Sequence, residues 1–181
     1  MLSKPLKDKK VLIVVPYNDF QDLELRGTKK VLRSAGAKME TASSSLGTAR
    51  GKMKGETKVN VLINEVDVKG YDAVVFIGGP GTVEYVNSAD AHRVAQETTK
   101  AGKVLGAICL APQVLAKAGV LEGKKATVWA SDTDQSGVEI LQAGGAEFVD
   151  QPVVTDDQII TADGPDAAPD FGEALVKVIQ D

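Results

Sequence analysis

Short, unbroken apolar runs alternate along the chain with stretches in which apolar residues return every three or four positions. Residues 10–16 (KVLIVVP) form the first such run, valine-rich and continuous, which is the pattern of a strand covered on both faces. Leu25, Val31, Leu32 and Ala35 then recur at helical spacing until Gly36 supplies a stop, so a helix is predicted over residues 21–35. A second strand is expected at 38–42, short strands or a small hairpin within 47–66, and another buried strand at 73–77. After a tight turn at 78–81 come a helix at 89–101, a buried strand at 103–108 (KVLGAI), a helix at 110–118, a strand at 125–129 and a helix at 134–143. Two short strands at 153–155 and 158–161 precede a last helix. In that helix Phe171, Ala174, Leu175, Val178 and Ile179 share one apolar face suited to docking on a sheet.

Strands and helices that alternate in this way imply an α/β fold, a mostly parallel central sheet with helices on both faces. No repeat, low-complexity tract or linker divides the sequence, so one domain spanning 1–181 is expected. Sheets of this kind place their sites beyond the carboxyl ends of the strands. That rule selects three segments: 17–24 after the first strand, 78–81 after the strand at 73–77, and 109–112 after the strand at 103–108.

Composition narrows the chemistry. The 43% hydrophobic and 25% charged content is that of an ordinary globular protein. A net charge of −4 with no dense Lys/Arg cluster gives no reason to expect nucleic acid or a membrane surface as partner. The first ten residues lack the apolar run of a signal peptide and no segment has the apolar length of a bilayer span, so a cytoplasmic location is expected. One cysteine and one histidine exclude an internal disulfide and a zinc cluster of these ligands. Asp132, Asp134, Ser136 and Gly137 resemble the start of a calcium loop, but Ala143 stands where the closing carboxylate belongs, so no metal is expected. The glycines at 47–52 and 119–124 lack the spacing of a phosphate loop, and no cofactor is called for.

The three selected turns hold the candidate chemistry. Cys109 sits between an apolar strand and a helix in Ala107-Ile108-Cys109-Leu110-Ala111-Pro112, the outline of a nucleophile elbow. Such a turn aims the side chain into a site and sets its sulfur near a helix N-terminus, which favours the thiolate. The same position equally suits a small buried hydrophobe. Gly78 and Gly79 can turn the backbone so that N–H groups face the same crevice, with an oxyanion held by the amides of Gly79 and Leu110. Glu24, one helical turn beyond the first strand, is within reach of the sulfur. Were the two adjacent they could not both be charged comfortably, and a protonated Glu24 would hydrogen-bond a thiolate. His92, beside Asp90 and Arg93, lies on a polar helix away from these turns.

Gly78-Gly79, the run Ala107-Ile108-Cys109 with Pro112, Ala118-Gly119-Val120-Leu121 and residues 161–165 (TADGP) together resemble the PfpI/ThiJ superfamily over nearly the whole chain. That resemblance implies a flavodoxin-like three-layer sandwich related to class I glutamine amidotransferases, and at least a homodimer. It implies Cys109 as the nucleophilic or redox cysteine, Glu24 as its carboxylate partner, and Gly79 with Leu110 as oxyanion donors. The departures are as informative. Leu110 stands where the protease-like branch has a histidine, Gln21 where a carboxylate is common, and Trp129 where a His or Tyr is common. Trp129 offers an indole N–H and a flat apolar wall to the pocket, but no acid or base. The expected function is cysteine-dependent action on a small reactive aldehyde, of glyoxalase or deglycase type. The alternative is a redox sensor whose Cys109 meets a peroxide and becomes a sulfinic acid. Peptidase activity trails both.

Overall fold

The computed structural model describes residues 4–181. Its elements in chain order begin with β1 (Lys10–Val14), β2 (Asn18–Phe20), α1 (Asp22–Ser34), β3 (Lys38–Ser43), β4 (Gly47–Gly51), β5 (Glu56–Val59), β6 (Val61–Leu62) and β7 (Ala73–Phe76). There follow α2 (Val83–Val86), α3 (Ala89–Lys100), β8 (Val104–Ile108), α4 (Pro112–Lys117), β9 (Lys125–Ala126), α5 (Ser136–Ala143), β10 (Glu147–Phe148), β11 (Val153–Asp156), β12 (Ile159–Ala162) and α6 (Ala168–Gln180).

Seven strands make the central sheet in the order β11-β12-β8-β7-β1-β3-β6, parallel throughout except for β11, which runs antiparallel to β12. The continuous apolar runs follow from burial on both faces. Along β1, Val11 and Ile13 enter one core while Leu12 and Val14 enter the other, and in β7 Ala73 and Val75 alternate in the same way with Val74 and Phe76. The first core is completed by α1 and α6 through Leu25, Leu32, Phe171, Leu175 and Ile179. The second is completed by α3 and α4, chiefly through Val94, Val114 and Leu115. This is the expected three-layer architecture. Among the described residues no helix is long and apolar enough to cross a membrane.

From β1 the chain builds outward through β3 to β6, then returns to the other side of β1 and builds through β7 and β8 to β12. The direction of building therefore reverses at β1, and the carboxyl ends of β1, β7 and β8 open on one crevice.

Several boundaries differ from the sequence expectations for local reasons. The helix after the elbow begins only at Pro112, because Cys109 has left-handed backbone geometry and Pro112 supplies the first helical residue. The strand expected at 125–129 is only Lys125–Ala126, paired with β10 away from the main sheet. Beyond it the Thr127 N–H donates to Thr161 Oγ1 at 2.9 Å and the Trp129 N–H to the Cys109 carbonyl at 2.8 Å, so no ladder continues. The segment after β1 contains β2, which joins the β4–β5 hairpin in a second sheet. The helix expected at 134–143 starts at Ser136, after Asp134 Oδ1 accepts from both the N–H and the hydroxyl of Ser136.

Helices α1 and α6 cross at two glycines. A Cβ on Gly27 would lie 2.9 Å from Cβ of Ala168, and one on Gly172 would lie 2.8 Å from Cβ of Val31. The β-branched Val31 has little freedom to withdraw. Gly172→Val should therefore cost about 1–3 kcal/mol through overpacking. Urea unfolding will show this as a lower midpoint with an unchanged slope.

Candidate functional site

Cys109 takes φ +62°, one of four non-glycine residues with positive φ among those described. For an L-residue that conformation costs on the order of 1–2 kcal/mol and needs support from outside. The support is backbone hydrogen bonding on both sides: the Cys109 N–H donates to the Ala162 carbonyl of β12 at 2.8 Å, and the Cys109 carbonyl accepts from the Trp129 N–H at 2.8 Å. The elbow inferred from the sequence is thus present, clamped between β12 and the segment after β9. The side chain is buried, with 8% of the residue exposed.

The turn after β7 meets it. Gly78 donates its N–H to Glu24 Oε2 at 3.0 Å, and its carbonyl accepts from the Gln21 N–H at 2.9 Å. A Cβ at Gly78 would lie 2.6 Å from the Ile108 carbonyl oxygen, 2.7 Å from Cβ of Cys109 and 2.9 Å from Glu24 Oε2, so only glycine fits between carboxylate and elbow. Gly79 has φ +111° and lies tight against the backbone of residues 19–21. The backbone N–H groups of Gly79 and Leu110 lie close enough to the Cys109 sulfur to favour its thiolate.

Glu24 has no exposed surface. It stands in the first turn of α1, whose N-cap Gln21 accepts the Leu23 N–H at 3.0 Å through its side chain. Burial pushes its carboxyl up to about 7, against opposing contributions from the Cys109 hydrogen bond, the Gly78 N–H and the charge of Lys52. Burial likewise pushes the Cys109 thiol up, reinforced by the Glu24 charge and hydrogen bond, while the N–H groups of Gly79 and Leu110 act the other way. The two groups titrate as a pair. Near pH 7 it passes from two protons to one; the upward push on the thiol puts the charge on the carboxylate and leaves the proton on sulfur, the reverse of the protonated Glu24 and thiolate expected from the sequence.

The structure therefore brings Cys109, Glu24, Gly79 and Leu110 together. Gly78 serves the carboxylate rather than an oxyanion, since its N–H is taken by Glu24. Trp129 adjoins through its backbone, and its half-exposed ring lies against Gly164 and lines a cleft of about 460 Å³ with Asp150, Asp163 and Asp166. His92 stays apart, its Nε2 2.8 Å from the Val86 carbonyl oxygen. Among the described residues no group of three or more His, Cys, Asp or Glu is placed to hold a metal. Sequence reasoning missed Lys52, the cation felt by Glu24, and the Ala162 carbonyl that braces the elbow. The Lys52 N–H donates to the Phe20 carbonyl, which brings its exposed chain near enough for its charge to act on Glu24, and no local pattern signals that crossing.

The DJ-1/PfpI family model matches residues 9–178 of this chain. An uncharacterized protein of Methanocaldococcus jannaschii is 38% identical over 97% of this chain and 84% of its own length. A protein of Pyrococcus horikoshii named as a deglycase is 32% identical over 85% of this chain and 90% of its own length. Among solved structures, a ThiJ/PfpI domain protein from Brachyspira murdochii superposes with a TM-score of 0.89 at 32% identity, covering 94% of this chain and 95% of that one.

The buried pair makes stability depend on pH. Because the folded state holds its second proton up to about pH 7, whereas an unfolded Glu releases it near its ordinary value of 4.5, the native state binds more protons between those limits. The stabilisation is full below the lower limit and is lost as pH rises through about 7. Relative to Glu24→Gln, the wild type should lose up to roughly 3 kcal/mol between pH 4.5 and 8. Urea midpoints of both proteins at pH 5 and pH 8 measure this; parallel behaviour would show that Glu24 does not hold the proton.

Proposed function

The chain belongs to the DJ-1/PfpI family, and from that premise we propose that it converts small reactive carbonyls by glyoxalase or deglycase chemistry, with Cys109 as nucleophile and Glu24 as proton carrier. The observation that carries this reading is a fully buried carboxyl packed beside the buried elbow cysteine, with Gly78 alone fitting between them. The deglycase name of the Pyrococcus relative supports the same class of substrate.

With methylglyoxal the steps balance without a cofactor. In the form with charge on sulfur and proton on Glu24, the thiolate adds to the aldehyde carbon, the carbonyl electron pair moves to oxygen, and Glu24 protonates that oxygen to give a hemithioacetal. The Glu24 carboxylate then removes the proton from the same carbon and delivers it to the neighbouring ketone oxygen as the electrons pass there, and an enediol forms. Glu24 next takes the proton from the hydroxyl on the first carbon and gives it to the second carbon, which leaves a lactoyl thioester on Cys109. Water adds to that thioester, the N–H groups of Gly79 and Leu110 offset the oxyanion charge, and lactate leaves as the thiol is restored. Glu24 is the one side chain at the elbow fit to carry these protons, since neither Leu110 nor Trp129 is an acid or a base. A peptidase would need a base at position 110, and the isobutyl side chain of Leu110 provides none.

The same geometry favours a second reading. A thiolate held by two N–H groups and a carboxyl attacks the oxygen–oxygen bond of a peroxide; sulfur is oxidised to the sulfenic acid as the peroxide is reduced to water or an alcohol. A second equivalent of peroxide takes it to the sulfinate. The donors at Gly79 and Leu110 that serve an oxyanion also suit sulfinate oxygens.

Wild type incubated with methylglyoxal should form lactate, with kcat/KM rising as pH passes through about 7, and Cys109→Ser should form none. Glu24→Gln should fall by on the order of 10²–10⁴-fold. Equal lactate from wild type and Cys109→Ser would overturn the carbonyl reading. Absence of lactate together with a mass gain of about 32 Da confined to Cys109 under mild peroxide would establish the redox reading instead.

A further inference from the structure

Among the described residues three buried side-chain oxygens have no hydrogen-bond partner; one is Thr82 Oγ1 in the turn after β7, and the other two are Glu24 Oε1 and Thr28 Oγ1. Glu24 and Thr28 are fully buried on α1, four positions apart, and therefore lie one above the other on the same face. A helical side chain leans toward the N-terminus of its helix, which carries the Thr28 hydroxyl toward the turn that bears Glu24. An interior hydroxyl without a partner is costly, and an interior threonine normally recovers that cost by bonding the carbonyl four residues back. Thr28 makes no such bond. By contrast Thr98, on α3, does so with the Val94 carbonyl at 2.6 Å. Thr28 is also the one polar side chain between Leu25 and Leu32 on the buried face of α1, where an aliphatic residue would meet the apolar core at no such cost.

We propose that Thr28 is a positioning residue for the Glu24–Cys109 pair: through one internal water its hydroxyl donates to Glu24 Oε1 and favours the form that carries one negative charge. The two oxygens do not bond directly, and a water molecule, with donors and acceptors for both, satisfies two orphaned groups in one step. Glu24 then has a donor on each oxygen, Gly78 on Oε2 and the water on Oε1, which fixes the plane of the carboxylate against the sulfur. On α1 itself Lys29 donates to the hydroxyls of Thr41 and Thr57 at 3.0 and 3.2 Å, and Arg26, Lys30 and Arg33 line the outer groove with it. Lys52 reaches Glu24 from the turn between β4 and β5, and Asp22 is held in that turn by the N–H groups of Met53 and Gly55, each at 2.7 Å. From α6 and the turn before it, Asp166 and Asp170 line the Trp129 cleft, and Glu173 lies in the groove beside Val31. Asp19 and Arg50 line a separate cleft with Lys54.

The proposal rests on the pairing of Glu24 with Cys109 and not on carbonyl turnover, so its test follows the cysteine directly. Alkylation of Cys109 by iodoacetamide is measured against pH in wild type, Thr28→Val and Thr28→Ser. Thr28→Val keeps shape and removes the donor, and the midpoint of its rate profile should move up by about one pH unit. Thr28→Ser restores the hydroxyl and should return the midpoint to the wild-type position. Identical midpoints in wild type and Thr28→Val, or an equal shift in Thr28→Ser, would overturn the assignment. Should Thr28→Val not fold, Thr28→Ala gives the same comparison. If wild type makes no lactate while Thr28→Val still shifts the profile, the positioning role stands and the carbonyl reading falls.

Discussion

The site depends on one hydrogen bond, from the Gly78 N–H to Glu24 Oε2, which ties the carboxyl end of β7 to the first turn of α1. A carboxylate with no exposed surface is costly to keep unless its charge is shared or its oxygens are bonded. That bond supplies one donor, and the absence of a side chain on Gly78 lets Cys109 stand on the other side. Any larger residue would separate the two groups whose proximity gives the site its chemistry. The reciprocal bond from the Gln21 N–H to the Gly78 carbonyl closes the ring, so the loops after β1 and β7 hold one another in register.

Around this link the protein places its backbone strain. Three of the four described non-glycine residues with positive φ are Cys109 at the elbow, Asp19 at the irregular centre of β2 packed on Gly79, and Lys54 in the turn held by Asp22. Each is braced from a different element: Cys109 by β12 and the segment after β9, Asp19 by Gly79, and the Lys54 turn by the carboxylate that opens α1. Strain of this kind persists only where surrounding structure over-determines it. The reversal of building direction at β1 gathers those braces at one end of the sheet.

The parallel strands were legible because burial on both faces writes them as unbroken apolar runs, and the elbow was legible because an apolar run ending in cysteine with Pro112 three residues on has few other local solutions. The approach of Glu24 to Cys109 followed from topology, since the first strand of such a sheet lies near its centre. Elements whose partners are distant could not be read this way. Strands β9 and β10 are two residues each and exist because they pair with each other, and β2 exists because the β4–β5 hairpin folds back onto it. The commitment of Gly78 to the carboxylate depends on which of two adjacent N–H groups points where, a matter of a dihedral angle. Thr28 left a faint trace: a hydroxyl on an otherwise apolar helical face, one turn after a buried acid.

Leu110 and Trp129 beside the elbow carry neither acid nor base, and this limits what the pair can do. With a histidine near the sulfur, a positive charge could balance the thiolate and leave the carboxylate free. Here no such cation is within the elbow, and Lys52 acts on Glu24 from the hairpin turn rather than on the sulfur directly. Charge neutralisation must therefore come from the shared proton and from backbone N–H groups. A site of that kind suits reactions in which one proton shuttles between neighbouring atoms and no strongly basic leaving group has to be expelled. Rearrangement of a hemithioacetal meets that condition and amide hydrolysis does not, since the amide nitrogen must be protonated as it departs. The same residues that weaken the case for a peptidase thus strengthen the case for carbonyl chemistry at Cys109.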